Sequence, residues 1–216
     1  MDVIRFIEDP TNDFIGHTID YVKVCGFSIA IAIVIGVALG IAVSRSPILG
    51  FLAVNLSGLM RAIPVIAFLI VVLPYLGTGF KPAAVALIVL GIPPILLNTY
   101  TSIRGLDPAM IEAAKGMGMT TWQIITRIQT PLVLPTVAAG IRTSAVQIVA
   151  TATLAAIINA GGYGEYILFG IDRFDNAAIL AGAIPVAVLA IIIEVLMGWL
   201  ERRLTPAGLR VRETFR

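Results

Sequence analysis

Long stretches without charged residues constrain the fold of this sequence more than any other feature. Five of them are long enough for a helix to cross a lipid bilayer, which takes about 20 apolar residues at a rise of 1.5 Å each. They lie between Lys23 and Arg45, from Phe51 to Leu76, between Lys81 and Arg104, from Leu132 to Ile158, and from Ala177 to Leu200. We therefore predict an all-α integral membrane protein with about five transmembrane helices.

Composition excludes several other classes of protein. Of the 216 residues, 58% are apolar and only 13% are charged, whereas a soluble domain carries about twice that share of charge. The net charge of +2 is too small for a protein that binds nucleic acid by neutralising phosphates. One cysteine, Cys25, and one histidine, His17, allow no internal disulfide and no soft-metal cluster. We expect no metal site and no nucleic-acid partner.

Prolines predict distortions in two of the spans. The second span carries Arg61 toward one end, and Pro64 and Pro74 should bend it. The third span contains Pro93 and Pro94, which free backbone carbonyls in mid-membrane. Such freed carbonyls are tolerated only against protein or water. We expect the third helix to be broken or strongly kinked.

The distribution of basic residues predicts the orientation. If the C-terminus is cytoplasmic, the inner segments hold nine Lys and Arg residues and the outer segments four. This asymmetry favours an outer N-terminus and an inner C-terminus. The first twenty residues carry five acidic residues and no basic n-region, so they do not resemble a cleavable signal peptide.

No internal repeat and no linker divides the chain. We predict a single transmembrane domain over residues 1–216. Because five helices are too few to enclose a solute path, we expect a dimer with the path at its interface. The second subunit is either a copy of this chain or a related one.

The longest polar connection, residues 104–131, predicts a helical hairpin. Asp107 and Pro108 supply an N-cap acceptor and a first helical residue with a suitable φ, and we expect Gly116 to close this helix after about two turns. Thr120 and Gln123 have the spacing of a capping box, which opens a second helix that should end before Pro131.

The first hairpin helix has few large side chains. Ala113, Ala114, Gly116 and Gly118 leave the backbone open to close approach, and Glu112 offers one charge for pairing. One interpretation is a docking surface for another protein. The other is that these small residues only pack the hairpin against its own membrane helices.

The run Glu112-Ala113-Ala114, followed by Gly116 and later by Leu132 to Pro135, resembles the EAA signature of ABC importer permease subunits. In that family the segment is the coupling helix, seated in a groove of the cytoplasmic ATPase. The resemblance implies the MetI-like ABC importer permease fold and two ABC ATPase subunits, which bind the ATP and Mg. It implies no cofactor and no catalytic residue in this subunit. The residues assigned to coupling are Asp107, Glu112, Ala113, Ala114, Gly116 and Gly118.

A closer resemblance covers roughly residues 60–200 and points to the osmoprotectant branch, whose permeases import glycine betaine, choline and carnitine. It implies a separate extracellular or periplasmic solute-binding protein and a bacterial or archaeal cytoplasmic membrane. The matching blocks are Arg61-Ala62-Ile63-Pro64, Asn98-Thr99-Tyr100, Gly105-Leu106-Asp107-Pro108, Glu112 to Met119, Ala139-Gly140-Ile141-Arg142-Thr143, Thr151-Ala152-Thr153-Leu154-Ala155 and Ala160-Gly161-Gly162-Tyr163-Gly164.

Several polar or flexible residues are candidates for the translocation path or its gate. Thr151 and Thr153 are expected on one face of the fourth helix, where their hydroxyls either line a wet path or bond back to their own helix. Tyr100 either faces a cationic solute or anchors the helix at the interface. The full set is Pro64, Asn98, Tyr100, Thr151, Thr153, Gly161 and Gly162, the two glycines forming a sharp turn that is either near the gate or purely structural.

Two charges fall inside the predicted spans, Arg142 in the fourth and Glu194 in the fifth. An unpaired charge at this depth costs about 3 kcal/mol or more. We therefore predict an ion pair. The alternative is that Arg142 extends to the headgroups while Glu194 faces a wet cavity or is protonated.

Other functions fit less well. An ABC importer for another small solute, such as an amino acid, is the nearest alternative. An ion-coupled carrier would need more titratable membrane sites, and an embedded enzyme would need partners for His17 or Cys25. We take His17 as a membrane-flanking residue and Cys25 as a packing residue. Aromatic residues make up 7% of the chain without a cluster of three or four, so we expect quaternary amines to be selected by the binding protein.

Overall fold

The computed structural model describes residues 3–205, which are almost entirely helical and contain no β-strand within that range. The all-α prediction is confirmed. The α-helices are α1 (Val3–Glu8), α2 (Phe14–Ser44), α3 (Pro47–Ala62), α4 (Val65–Leu76), α5 (Phe80–Arg104), α6 (Pro108–Gly116), α7 (Thr121–Ile124), α8 (Thr130–Thr151), α9 (Tyr163–Arg173) and α10 (Asn176–Leu204). Short 3-10 segments lie at Pro10–Asn12 and Ala152–Ile158, and a π-helical turn at Ile125–Gln129.

Within the described residues, four helical stretches are long and apolar enough to cross a membrane, and the bent pair α3 and α4 makes a fifth if it counts as one span. The prediction of about five spans is therefore confirmed. The helix of the first span, α2, begins earlier than predicted, at Phe14 instead of after Lys23. The side chain of Asp13 caps it by accepting from the Gly16 N–H at 3.2 Å. Charged residues in its first turns are compatible with a helix that begins outside the hydrocarbon layer.

The second span is two helices and not one bent helix. Ile63 and Pro64 have extended backbone conformations, and α3 and α4 meet there at an angle of 92°. The proline ring disfavours helical geometry in the residue before it, which accounts for the break. Pro74 lies within α4 and does not end it.

Of the two distortions expected in the third span, a break or a strong kink, the break is absent, because α5 runs without interruption through Pro93 and Pro94. Both prolines are fully buried. Their fixed φ is close to the helical value, so the pair removes two backbone donors without forcing the chain out of the helix. Packing on both sides then holds α5 together where its own hydrogen bonds are missing.

Helix α5 lies at the centre of the fold, between α2 and α8, and small residues allow the close approach. A Cβ atom on Gly36 of α2 would lie 2.8 Å from the Cβ of Ile95 on α5. Across the other interface, the buried hydroxyl of Ser144 donates to the Gly91 carbonyl at 2.8 Å. Tight backbone contact and an interhelical hydrogen bond are the means by which helices associate in a bilayer, where apolar burial gives little driving force.

Candidate functional site

The hairpin at residues 104–131 begins as predicted. The Asp107 side chain accepts from the Ala109 N–H at 2.9 Å, and Pro108 is the first residue of α6. The Thr120 hydroxyl accepts from the Gln123 N–H at 3.3 Å, while the Gln123 side chain accepts from the Thr120 N–H at 2.8 Å. These two caps satisfy backbone donors that would otherwise be free at the helix starts.

The first hairpin helix ends at Gly116, as predicted, but another glycine forms the cap that follows it. Gly116 is the last residue of α6 and does not have a positive φ, whereas Gly118 has φ +79°. The Gly118 N–H donates to the Lys115 carbonyl at 2.9 Å, and the Met119 N–H donates to that of Ala114 at 3.2 Å. The turn is thus closed by Gly118, since this conformation favours glycine.

One alanine of the motif faces inward and the rest of the motif faces outward. Ala114 is fully buried against the chain itself, whereas Glu112, Ala113, Gly116 and Gly118 are exposed. A Cβ atom on Gly116 or Gly118 would meet no atom within 4 Å. The packing interpretation therefore holds for Ala114, and the other four residues form an outward surface, here called the hairpin surface.

Two large exposed side chains border the hairpin surface, and our sequence reasoning missed both. Met117 is 74% exposed and Trp122 is 72% exposed. Both lie in the polar connection and outside the predicted spans. Their type was a usable signal, because large apolar residues in a polar connection favour contact with another protein.

The second hairpin helix does not end before Pro131. The chain continues from α7 through the π-helical turn into α8, and the Thr130 N–H reaches back to the Ile125 carbonyl. Pro131 stands in the first turn of α8, where a missing N–H costs little. A continuous helix from Thr121, directly after the hairpin turn, thus leads into a membrane span.

A cavity of about 380 Å³ lies next to the hairpin, between α2, α5 and the α7–α8 stretch. Its walls are mostly apolar, with polar atoms supplied by Arg45, Thr99, Gln129 and Thr130 among others. None of the residues predicted for the path or gate lines it.

The predicted path threonines bond to their own helix. The Thr151 hydroxyl donates to the Gln147 carbonyl at 2.7 Å, and the Thr153 hydroxyl donates to that of Ala150 at 3.1 Å. The expectation that they share one face is wrong, because helical residues two apart point in different directions. Thr151 ends α8 and Thr153 lies in the 3-10 segment.

Asn98 and Tyr100 pack against glycines of neighbouring helices. A Cβ atom on Gly140 of α8 would lie 2.7 Å from the Asn98 Cβ, and one on Gly50 of α3 would clash with the Tyr100 hydroxyl. The Asn98 amide also donates to the Pro94 carbonyl at 2.8 Å. In this conformation both side chains fill helix interfaces.

The predicted ion pair is present and has a third member. The Arg142 Nε lies 3.6 Å from a Glu194 carboxylate oxygen, and one of its terminal nitrogens lies 3.1 Å from a Glu201 oxygen. Gly198, between the two acids on α10, leaves room for the guanidinium, which would lie 3.3 Å from a Cβ there. Glu201 was missed because it lies beyond the uncharged stretch, although seven residues from Glu194 it shares the same helix face.

The glycine turn at the opposite end of the molecule contacts the start of α2. Gly161 and Gly162 have φ of +78° and +86°, so the predicted sharp turn is present. The Gly162 N–H donates to Nδ1 of His17 at 3.2 Å. His17 is therefore more than a membrane-flanking residue, because it satisfies the backbone at the start of α9.

Comparison with known proteins agrees with this geometry. Residues 32–206 match the family described as "Binding-protein-dependent transport system inner membrane component". The chain is 36% identical to the carnitine transport permease protein OpuCB of Listeria monocytogenes over 208 residues, which cover 96% of this chain and 95% of that protein. It is 35% identical to the glycine betaine/carnitine/choline transport system permease protein OpuCB of Bacillus subtilis (strain 168), with 96% of each chain covered.

A solved structure shares the fold. An inward-facing conformation of the MetNI methionine ABC transporter superposes with a TM-score of 0.78 at 19% identity, covering 92% of this chain and 100% of that one. This chain belongs to the family of inner membrane components of binding-protein-dependent transport systems. It is a membrane transport subunit with the predicted ABC importer permease fold.

Proposed function

We propose that this chain is the permease subunit of an ATP-driven importer for osmoprotectant quaternary amines, namely glycine betaine, choline and carnitine. The observation that carries the proposal is the identity of 36% and 35% to permeases named for these amines, over 96% of the chain. Because the similarity spans the membrane helices and the hairpin together, it supports a shared transport function and not only a shared fold.

The proposed orientation places the hairpin in the cytoplasm and the start of α2 outside. Charge supports it. At the end opposite the hairpin, the described segments carry seven Asp and Glu residues against four Lys and Arg residues. The described segments at the hairpin end, including the C-terminal turn of α10, are predominantly basic. Such an excess of basic residues is typical of the cytoplasmic side.

The proposed coupling runs from the hairpin surface to α8. Two ATPase subunits would bind ATP and Mg and seat the hairpin, with Glu112 offered for a charge-assisted contact and Met117 and Trp122 for apolar contact. Closure of the ATPases would move α6, and the continuous helix from Thr121 would carry that movement into the membrane. The ion pairs of Arg142 with Glu194 and Glu201, here called the Arg142 cluster, would pass the movement from α8 to α10.

The proposed complex contains a second permease, either a copy or a related chain, and a separate solute-binding protein in a bacterial or archaeal cytoplasmic membrane. Both α3 and α4 expose large apolar side chains along most of their length. The name of the family itself refers to a binding protein. Alternating access would then take place between the two permeases.

Uptake of labelled amines tests the proposed function. Cells without their own osmoprotectant uptake would receive the complete importer, and matched cells the same operon without this subunit. We expect uptake of at least one of glycine betaine, choline and carnitine only with this subunit present. Absence of uptake of all three, with the complex assembled in the membrane, would contradict the proposal.

A further inference from the structure

Aromatic side chains gather at the end of the molecule opposite the hairpin. The ring centroids of Phe6 and Tyr166 are 5.5 Å apart, those of Phe14 and Tyr163 are 5.6 Å apart, and the His17 ring lies 4.7 Å from Tyr166. The sequence suggested no cluster of three or four aromatic residues, and in space that expectation is wrong. These rings come from α1 and α2 at the start of the chain and from α9, about 145 positions later.

A pocket of about 260 Å³ opens beside this cluster. Its walls include three aromatic rings, those of Phe6, Tyr166 and Phe169, together with Asn12 and the Glu165 carboxylate. Pockets for drug-sized ligands measure about 300–1,000 Å³. This pocket therefore suits a smaller ligand, and its lining favours one that is positively charged.

The Glu165 carboxylate has no cationic partner among residues 3–205. Its only neighbour within ion-pair distance is Nδ1 of His17, at 3.8 Å. That nitrogen accepts the Gly162 N–H at 3.2 Å, so its hydrogen bond is made to the backbone and not to Glu165. A carboxylate beside aromatic rings is thus left free to pair with a ligand.

Two carboxylates lie near the Tyr166 phenol in the pocket wall. The pKa of Tyr166 rises to about 12, first because the phenol is buried and then because the Asp13 and Glu165 carboxylates lie nearby. The guanidinium carbon of Arg173 lies 4.5 Å from the centroid of the Phe169 ring. That contact shows that the Phe169 ring accepts a weakly hydrated cation on its face.

We propose that this pocket binds the trimethylammonium group of choline and prefers choline to glycine betaine. A quaternary ammonium ion donates no hydrogen bond, so aromatic faces and an unpaired carboxylate are the groups that select it. Glycine betaine carries its own carboxylate, which Glu165 repels. The choice of ligand class rests on the proposed function, whereas the site itself rests on the pocket, its rings and its free carboxylate.

Binding to the assembled permease tests this site. The complex with its ATPases, without the binding protein, would be titrated in lipid nanodiscs with choline and followed by saturation-transfer NMR. We expect saturable binding of choline, and binding about tenfold weaker for 3,3-dimethylbutanol, the uncharged analogue of the same shape. Glu165→Gln and Phe169→Leu should each weaken choline binding several-fold. Asp172→Asn, the same charge change on α9 outside the pocket lining, should leave it unchanged.

Three results would overturn the inference: no saturable choline binding, equal binding by Glu165→Gln and the unsubstituted protein, or glycine betaine bound as tightly as choline. The uptake experiment keeps this test separate from the proposed function. If the importer transports an amine but the pocket binds no choline, only the inference fails. If choline binds but none of the three amines is transported, the proposed function fails and the pocket stands.

Discussion

At the residue scale, glycines determine where the helices can meet. A Cβ atom on Gly140 would lie 2.7 Å from the Asn98 Cβ and 3.0 Å from the Pro94 carbonyl oxygen, whereas one on Gly26 would meet nothing within 4 Å. We expect Gly140→Ala to lower the free energy of unfolding by about 1–3 kcal/mol. Gly26→Ala should leave it unchanged or raise it by up to about 1 kcal/mol. Denaturation of the purified subunit in detergent measures both, and equal effects would contradict this account of the interface.

The Arg142 cluster gives a second residue-scale prediction. The Glu201 side chain is 25% exposed and 3.1 Å from Arg142, while Glu194 is 52% exposed and 3.6 Å away. Glu201→Gln should therefore reduce thermal stability more than Glu194→Gln. The double variant Arg142→Gln/Glu201→Gln should recover part of the loss, with a coupling energy of about 0.5–3 kcal/mol. Strictly additive losses would mean that the charges do not stabilise the fold as a pair.

The site residues that escaped sequence reasoning are those defined by contacts between distant segments. The pairing of Arg142 with Glu194 could be predicted, because an isolated charge in an apolar stretch needs a partner. The bond from Gly162 to His17 joins residues 145 positions apart, and no local pattern encodes it. The free carboxylate of Glu165 follows from that bond, so it too was beyond prediction.

At the element scale, the C-terminal end of α6 tests the corrected cap. Gly118 has φ +79°, whereas Gly116 is helical and has open space where a side chain would stand. We expect Gly118→Ala to destabilise the hairpin by about 1 kcal/mol, because an L-residue is strained at that φ. Gly116→Ala should be neutral or favourable.

Hydrogen–deuterium exchange of residues 108–119 measures this difference directly. Faster exchange is expected for Gly118→Ala and not for Gly116→Ala. The reverse order would show that Gly116 is the residue that closes the turn.

Local rules predicted the caps of the hairpin helices well, but they predicted helix breaks at prolines where the helices continue. An N-cap or a capping box depends on residues within one turn, which is why Asp107 and Thr120 behave as expected. The continuity of α5 through Pro93 and Pro94 depends on burial between neighbouring helices. The π-helical turn before Pro131 likewise removes a break that proline alone would predict.

At the scale of the whole molecule, orientation is open to a labelling test. The single native cysteine, Cys25, is buried, so it gives a low background. Asp172 and Lys115 are exposed at opposite ends of the molecule. A membrane-impermeant maleimide should label Asp172→Cys in intact cells, and Lys115→Cys only after the membrane is opened. Labelling of Lys115→Cys in intact cells would contradict the proposed orientation.

The central claim is that the hairpin surface passes force between an ATPase and the membrane helices. The substitution Gly116→Leu tests this claim most directly. A Cβ atom at position 116 would meet no atom of this chain within 4 Å, so the fold tolerates it. The leucine side chain would instead fill the surface that the ATPase approaches. Gly26→Leu is the matched control, equally open within the chain but on a membrane helix. The measurement is ATP hydrolysis by the reconstituted importer with and without its loaded binding protein. We predict that Gly116→Leu folds, inserts and loses the stimulation while the control keeps it; full stimulation in Gly116→Leu would contradict the claim.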